Sequence, residues 1–215
     1  MRREYGARVA RVRHPLFARC LARCAPRMEQ LGVAEHRREL LAGISGQVIE
    51  IGAGTGANFA HYPEGVREIV AVEPEPYLRA RAVEAAAAAI APVRVVDAVA
   101  DQLPFENASF VSSLVLCSVA DQPAALAELH RVLRPGGELR FYEHVGAEDR
   151  RLASAQRVLD VVWPYLGGGC HAIRDTLHAI TGAGFAVEDV RCFVFRPCML
   201  AAPTSPHVLG VARRP

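Results

Sequence analysis

QVIEIGAGTG, residues 47–56, joins a short apolar run to a turn with three glycines. Gln47–Ile51 is typical of a buried strand because it is rich in apolar and β-branched side chains. Gly52, Gly54 and Gly56 let the backbone adopt positive φ and let a ligand approach it closely. We expect a helix after this turn, and a ligand beyond the carboxyl end of the strand.

Outward from this unit, apolar runs of strand length alternate with helical patterns. Further strands are predicted at Ile69–Val72, Val93–Val96, Phe110–Leu116 and Glu138–Glu143, and helices at Tyr77–Ile90 and Pro123–Leu133. Such alternation is typical of a parallel sheet with crossover helices. After a helix at Ile173–Ala183, strands at Ala186–Phe195 and His207–Ala212 follow each other as in a hairpin. The sequence therefore predicts an α/β fold, a doubly wound, mostly parallel seven-stranded sheet with one antiparallel strand near its edge.

The first 45 residues lack this alternation. Pro15–Met28 has the pattern of an amphipathic helix, and a second helix is expected at Val33–Leu41. By analogy with folds of this kind, residues 1–45 are expected to form a helical lid on the main domain, residues 46–215. Phe17 and Leu21 lie on the apolar face of the first helix and are candidates for contact with an acceptor.

The composition excludes several classes of protein. The 215 residues carry a net charge of +2, so we expect no nucleic-acid partner. No apolar run reaches the roughly 18 residues of a membrane span, and no secretory signal is visible. Six cysteines in such a chain favour a reduced, cytoplasmic protein. Cys20 and Cys24 are one helical turn apart but lack a second ligand pair, so no metal site is expected. The oligomeric state stays open.

Two carboxylates bear on which nucleotide fits the turn. Glu73 lies 21 residues after Gly52, at the end of the next predicted strand, where it can accept hydrogen bonds from both ribose hydroxyls. With Ala57 at its third position, the turn also satisfies the dinucleotide fingerprint. An NAD(P)-binding oxidoreductase and a non-catalytic nucleotide-binding module are therefore alternatives. Glu50 would repel a pyrophosphate but suits the cationic S-adenosylmethionine.

Several motifs together resemble the class I S-adenosylmethionine-dependent methyltransferases. Residues 48–56 resemble the first motif of that family, and Glu73 matches its ribose-binding acid. DQLPF (101–105) and LRPGG (133–137) resemble its adenine-side loop and the turn before its fifth strand. The resemblance implies S-adenosylmethionine as the cofactor. It also implies cofactor contacts from Asn58, Pro74, Leu116 and Cys117.

The adenine-side loop departs from the family pattern. Many members carry an acid in this loop that bonds the adenine amino group. Here the nearest residues are Val99, Ala100 and Asp101. The backbone N–H of Ala100 is a candidate for the adenine ring and Asp101 for its amine, and which of them does so stays open.

A narrower resemblance is to the alkyl-thiol S-methyltransferases of animals and their bacterial relatives. It rests on short segments, namely 58–59, 62–63, 114–119, 143–145, Trp163 and 169–170. It implies methyl transfer to a small, largely apolar thiol, with transfer to oxygen or nitrogen of a secondary metabolite as the alternative. Candidates for contact with that acceptor are Tyr62, Trp163 and Cys170.

A thiol reacts as its thiolate, so a base near the acceptor would assist transfer. His144 follows the fifth predicted strand and is the first candidate base. Strand alternation would point Glu143 to the opposite face. His171, which follows the glycine run 167–169, is the second candidate.

Overall fold

Helices and strands alternate along most of the chain in the computed structural model, which describes residues 12–105, 109–197 and 204–215. The helices are α1 (Pro15–Met28), α2 (Ala34–Leu41), α3 (Pro76–Ala86), α4 (Gln122–Val132), α5 (Arg150–Leu159), α6 (Trp163–Leu166) and α7 (Thr176–Gly182). The strands are β1 (Gly46–Ile51), β2 (Val66–Val72), β3 (Val93–Val96), β4 (Ser109–Ser113), β5 (Glu138–His144), β6 (Ala186–Val194) and β7 (Pro206–Arg213). The α/β class predicted from the sequence is confirmed.

The strands form one sheet with the order β3-β2-β1-β4-β5-β7-β6. Neighbours from β3 to β5 run parallel, and β7 is antiparallel to both β5 and β6. The chain runs from β1 outward to β3, then returns to the other side of β1 as β4. Such a reversal opens a crevice between the carboxyl ends of β1 and β4, which is where open α/β sheets bind ligands.

Both faces of the sheet are covered because successive side chains of a strand point to opposite sides. Ile49 and Ile51 of β1 belong to a cluster that contains Leu126 of α4. Val48 belongs to the second cluster, with Leu41 of α2. Strands buried on both faces explain the nearly continuous apolar runs from which they were predicted.

The prediction of a helix directly after the glycine turn is wrong. Residues 57–65 hold a single 3₁₀ turn, Phe59–His61. The chain has to reach the start of β2 at Val66, and Pro63 has no N–H with which to continue a helix. Conversely, α5 and α6 were not predicted, although Asp149 caps α5 by accepting hydrogen bonds from two backbone N–H groups of its first turn.

The two helices predicted before β1 are present, and a π-helical segment, Glu29–Val33, joins them. Gly32 within this segment has a φ of 119°, so the chain kinks there. Leu40 and Leu41 of α2 are buried in the core, whereas α1 packs beside α3. None of the helices in the described ranges is long and apolar enough to cross a bilayer.

Candidate active site

The glycine turn after β1 lies at the crevice. Gly52, Gly54 and Gly56 have φ values of 61°, 58° and 78°, which side chains rarely tolerate. A β-carbon on Gly52 would come within 2.1 Å of Cγ2 of Val115. The nearest atom to a β-carbon on Gly54 is a backbone oxygen at 3.9 Å. Gly52 therefore allows a close approach of two chain segments, while the space above Gly54 is open to a ligand.

The Glu73 carboxylate is fixed against this turn. Glu73 follows β2 and is 5% exposed. One of its oxygens accepts the N–H of Gly54 at 2.8 Å, and the other accepts the N–H of Glu75, also at 2.8 Å. Burial raises the pKa of Glu73. The structure thus places the acid expected at the ribose position beside the middle glycine.

Glu50 is buried beneath the same turn rather than exposed at the strand end. Its carboxylate accepts a hydrogen bond from the Tyr62 hydroxyl at 2.8 Å and one from the Asn58 amide at 2.9 Å. Burial raises the pKa of Glu50 from 4.5 to about 7, against the opposing effect of these donors. The pocket therefore holds a carboxyl group that ionises close to neutral pH.

Polar side chains link this carboxyl group to the N-terminal helices. Nη1 of Arg37 donates to Oδ1 of Asn58 at 2.7 Å, and Nε of Arg37 donates to Glu29 at 2.9 Å. Tyr62, expected to contact the acceptor, is 3% exposed and bonds Glu50 instead. In the structure, the Tyr62 hydroxyl thus holds the Glu50 carboxylate in place.

The adenine-side loop forms a tight turn in which the N–H of Gln102 donates to the carbonyl of Val99 at 3.1 Å. Ala100 is buried and Asp101 is exposed. Asp97, which directly follows β3, pairs with Arg79 at 3.0 Å. Sequence reasoning passed over Asp97, although its position at the end of a strand marks it as a residue of the crevice.

The loop after β4 is strained and firmly held. Leu114 has a φ of 59°, a conformation that costs a side-chain-bearing residue free energy. The buried Glu143 carboxylate accepts the N–H of Val115 at 3.1 Å and the N–H of Cys117 at 3.2 Å. Glu143 thus anchors the segment that carries Leu116 and Cys117, both of them buried. Sequence reasoning gave Glu143 no such role.

Cys117, His144 and Cys170, here named the Cys–His–Cys cluster, meet at the ends of β4 and β5. The two Sγ atoms lie 3.5 Å apart, and Nδ1 of His144 lies 3.5 Å from Cys170 Sγ and 3.7 Å from Cys117 Sγ. Contact with the Cys117 thiol and with His144 lowers the pKa of Cys170, whereas the pKa of Cys117 is raised. The structure thereby brings together three residues for which the sequence analysis proposed separate roles: Cys117 as a cofactor contact, His144 as a base and Cys170 as an acceptor contact.

The segment 167–174 is fastened to the loop that carries Cys117. The N–H of His171 donates to the carbonyl of Cys117 at 2.8 Å, and Arg174 donates to the carbonyl of Val119 at 2.7 Å. A β-carbon on Gly169 would lie 2.8 Å from the Ser118 carbonyl oxygen. The glycine therefore permits the close approach that sets Cys170 beside Cys117.

The other acceptor-side candidates surround this segment. A β-carbon on Gly168 would lie 2.5 Å from the Phe17 ring, so α1 reaches the glycine run through that ring. Leu21 and Trp163 are half-buried, and the buried indole N–H of Trp163 faces Cys170, whose pKa it helps to lower. Nδ1 of His171 lies 2.8 Å from Asp160, a pairing that the sequence did not indicate.

Several known proteins resemble this chain in sequence. A family model described as a methyltransferase domain matches residues 49–141. The rat thiol S-methyltransferase TMT1B is 34% identical to this chain in an alignment 212 residues long. The alignment covers 92% of this chain and 84% of the rat protein. The human thiol S-methyltransferase TMT1A is 35% identical, over 84% of this chain and 79% of the human protein.

Solved structures agree on the fold. A geranyl diphosphate methyltransferase in complex with S-adenosylmethionine matches with a TM-score of 0.67 at 16% identity, over 94% of this chain and 92% of that one. An S-adenosylmethionine-dependent methyltransferase from Mesorhizobium loti matches with a TM-score of 0.59 at 22% identity, over 83% of this chain and 95% of that one.

The fold, the glycine turn and the carboxylate at the end of β2 define a class I S-adenosylmethionine-dependent methyltransferase. Within that class, the chain belongs to the family of the thiol S-methyltransferases TMT1A and TMT1B. S-adenosylmethionine is therefore its cofactor, and the residues present fit it. The turn leaves open space above Gly54, and the buried Glu50 and Glu73 supply negative charge suited to a cationic ligand.

Proposed function

We propose that this methyltransferase transfers a methyl group to the sulfur of a small, largely apolar thiol. The observation that carries the proposal is the Cys–His–Cys cluster, a group of sulfur and nitrogen atoms at the same sheet edge as the cofactor turn. Val115 packs on Gly52, and Cys117 follows two residues later, so cluster and turn are neighbours. The thiol S-methyltransferase activity named for the rat and human relatives supports the same acceptor.

The cofactor contacts follow from the geometry of the turn. We assign the ribose to Glu73, which already accepts two N–H groups there. We assign the amino acid end to Glu50 and the turn, because a carboxylate suits an ammonium and a sulfonium. When bound, S-adenosylmethionine supplies an electrophilic methyl group. The adenine contacts are assigned to the loop of Ala100 and Asp101, and further walls of the site to Asn58, Pro74, Leu116 and Cys117.

The acceptor side is apolar. The segment that leads into Cys170 exposes several apolar side chains, namely Val158, Val161, Val162, Tyr165 and Leu166. Phe17 of α1 lies against the glycine run of this segment, and Trp163 is half-buried within it. We propose that Phe17, Leu21 and Trp163 bind the apolar part of the acceptor. In this role α1 is a lid that keeps water away from the reacting sulfur.

The acceptor thiol has to lose its proton before its sulfur can attack. We assign this step to the cluster around His144, since that imidazole contacts both thiols at the crevice. His171 is the weaker candidate because its Nδ1 is engaged by Asp160 at 2.8 Å.

The test is turnover by the purified full chain with S-adenosylmethionine and three acceptors of similar size: an alkane thiol, a phenol and an amine. We expect S-adenosylhomocysteine and the methyl thioether to appear in equal amounts from the thiol, with much slower reaction of the other two. Cys192→Ser, which changes an exposed cysteine of β6, is the matched control and should keep full activity. Faster methylation of the phenol or amine would contradict the proposal.

A further inference from the structure

We propose that the Cys–His–Cys cluster binds a zinc ion, and that the fourth coordination position of this ion takes the sulfur of the acceptor thiol. The second half of the proposal rests on the thiol acceptor argued above, whereas the first half stands on the geometry of the chain alone. All three residues fall within the segments that resemble the alkyl-thiol methyltransferases, 114–119, 143–145 and 169–170.

The distances within the cluster match those of a tetrahedral zinc site. Zinc binds thiolate sulfur at about 2.3 Å and imidazole nitrogen at about 2.0 Å, so tetrahedral ligands lie about 3.8 Å (S···S) and about 3.5 Å (S···N) apart. The observed separations are 3.5 Å between the sulfurs and 3.5 and 3.7 Å from the nitrogen to each of them. The ligand atoms would therefore need to move by only a few tenths of an ångström to accept the ion.

The chemistry of the donors selects the same kind of ion. Two thiolates and an imidazole are soft and borderline ligands, which favour zinc over magnesium or calcium. Cys117 and Cys170 are 1% and 5% exposed. On binding, zinc would displace the proton of each thiol to solvent, and the ion would supply the positive charge that two buried thiolates need. The two positive charges of the ion balance the two thiolates, and the neutral imidazole adds no charge, so the zinc site as a whole is electrically neutral.

The ligands are held before any ion arrives. Glu143 accepts the N–H of Cys117, the adjacent His144 ends a strand paired on both sides, and the His171 N–H fixes the segment of Cys170 to the Cys117 carbonyl. Preorganisation of this kind lowers the cost of assembling a metal site. The ligands come from three separate parts of the chain, so the folded state is what forms the site.

The described ranges supply three ligands to this position and no fourth. Three protein ligands with one open position are typical of a catalytic zinc site, whereas structural sites hold four. The acceptor would bind there as thiolate, with the Zn–S bond forming as the S–H bond breaks and the proton passing to solvent. The cluster would thus promote loss of the proton through the ion, because an imidazole that binds zinc through Nδ1 is no longer a free base. Its sulfur then forms the new S–CH₃ bond while the methyl–sulfonium bond breaks, which leaves S-adenosylhomocysteine. The resulting thioether is neutral and a weaker ligand, so it dissociates.

The first experiment measures zinc in the untagged full chain, purified under reducing conditions without chelator. We expect about one zinc ion per chain in the wild type and in Cys192→Ser, and less than about a tenth of that in Cys170→Ser and in His144→Gln. Thermal unfolding identifies any variant that fails to fold. If one of the two ligand variants fails to fold, the zinc content of the other still tests the proposal. A zinc-free wild type that also fails to bind added Zn²⁺, or a Cys117–Cys170 disulfide in the reduced preparation, would overturn the proposal.

The second experiment replaces zinc with Co²⁺, whose spectrum reports its ligands. We expect thiolate-to-cobalt charge-transfer absorption in the wild type and in Cys192→Ser but not in Cys170→Ser. With S-adenosylhomocysteine present, an alkane thiol should shift the cobalt d–d bands, whereas the corresponding alcohol should not. If the thiol does not shift the bands, the acceptor sulfur does not bind at the fourth coordination position, and the second half of the proposal is wrong. Bound zinc without thiol methylation would refute the proposed function alone, and full activity of the metal-free enzyme would refute the role of zinc alone.

Discussion

Replacing Glu50 by glutamine should stabilise the apo-protein at alkaline pH and lower its affinity for the cofactor. In the fold, burial raises the pKa of Glu50 from 4.5 to about 7. The folded state therefore binds more protons than the unfolded state between these two values, and the free energy of unfolding falls as pH rises through this window. Below pH 4.5 the carboxyl group is protonated in both states and has no such effect.

The magnitude follows from the size of the pKa shift. Each unit corresponds to about 1.4 kcal/mol, so a rise from 4.5 to about 7 costs the wild type about 3 kcal/mol above pH 7. Glutamine is neutral at every pH, and it can still pair with Tyr62 and Asn58 through its oxygen and its amide. We expect Glu50→Gln to match the wild type near pH 4 and to exceed its stability by about 3 kcal/mol at pH 8.

The assay is urea unfolding of the apo-protein by far-ultraviolet circular dichroism across pH 4 to 8.5, with calorimetric titration of S-adenosylhomocysteine alongside. At pH 8 the variant should bind the ligand at least about tenfold more weakly, because a charged partner has been lost. Near pH 5.5, where the wild-type carboxyl group is protonated, the two affinities should converge. Glu84→Gln, on an exposed side chain of α3, is the control. A stability difference that does not change with pH would refute the reasoning.

Two further sets of substitutions probe the crevice. Gly52→Ala places a β-carbon 2.1 Å from Val115 at a φ of 61°; calorimetry should show S-adenosylhomocysteine affinity at least about tenfold lower. Gly136→Ala is the control for backbone strain alone, because Gly136 has a φ of 74° and its β-carbon would meet nothing within 4 Å. It should lower the free energy of unfolding in urea by about 1 kcal/mol and leave the affinity for S-adenosylhomocysteine unchanged. An equal loss of this affinity in both glycine variants would contradict the argument. Phe17→Ala should raise the KM for the acceptor thiol several-fold without changing cofactor affinity. Leu16→Ala, which changes a side chain that is 82% exposed, should change neither quantity. A weaker cofactor affinity in Phe17→Ala would instead place α1 beside the cofactor.

The glycine turn and the carboxylate after β2, to which we assign the cofactor, could be located from the sequence because they are local features. A strand, a glycine turn and an acid at the end of the next strand occur within residues 47–73, and the parallel pairing of β1 with β2 fixes where they meet. Even there, burial was not readable. Glu50 could be seen as a carboxylate at a strand end, but its raised pKa comes from complete burial in the folded chain, which the hydrogen bonds from Tyr62 and Asn58 only partly offset.

The cluster to which we assign the acceptor could not be predicted from the sequence. Cys117 and Cys170 are 53 residues apart in the chain, and no local pattern brings them together. The glycine run 167–169 indicated a special turn, but only the fold shows that it lets the chain approach the Ser118 carbonyl. Alternation along β5 explains why neighbouring residues act separately, since Glu143 anchors a loop while His144 faces the two thiols.

The residue patterns alone predicted the class of fold, the glycine turn and a cationic ligand for it. These predictions depend on periodicity and on spacings within a few tens of residues. Which distant side chains lie together depends on the folded chain, because contacts between remote segments arise from how helices and strands pack. For this protein the difference is largest at the Cys–His–Cys cluster, because His144 of β5 and the cysteines of two separate loops meet only at one edge of the folded sheet.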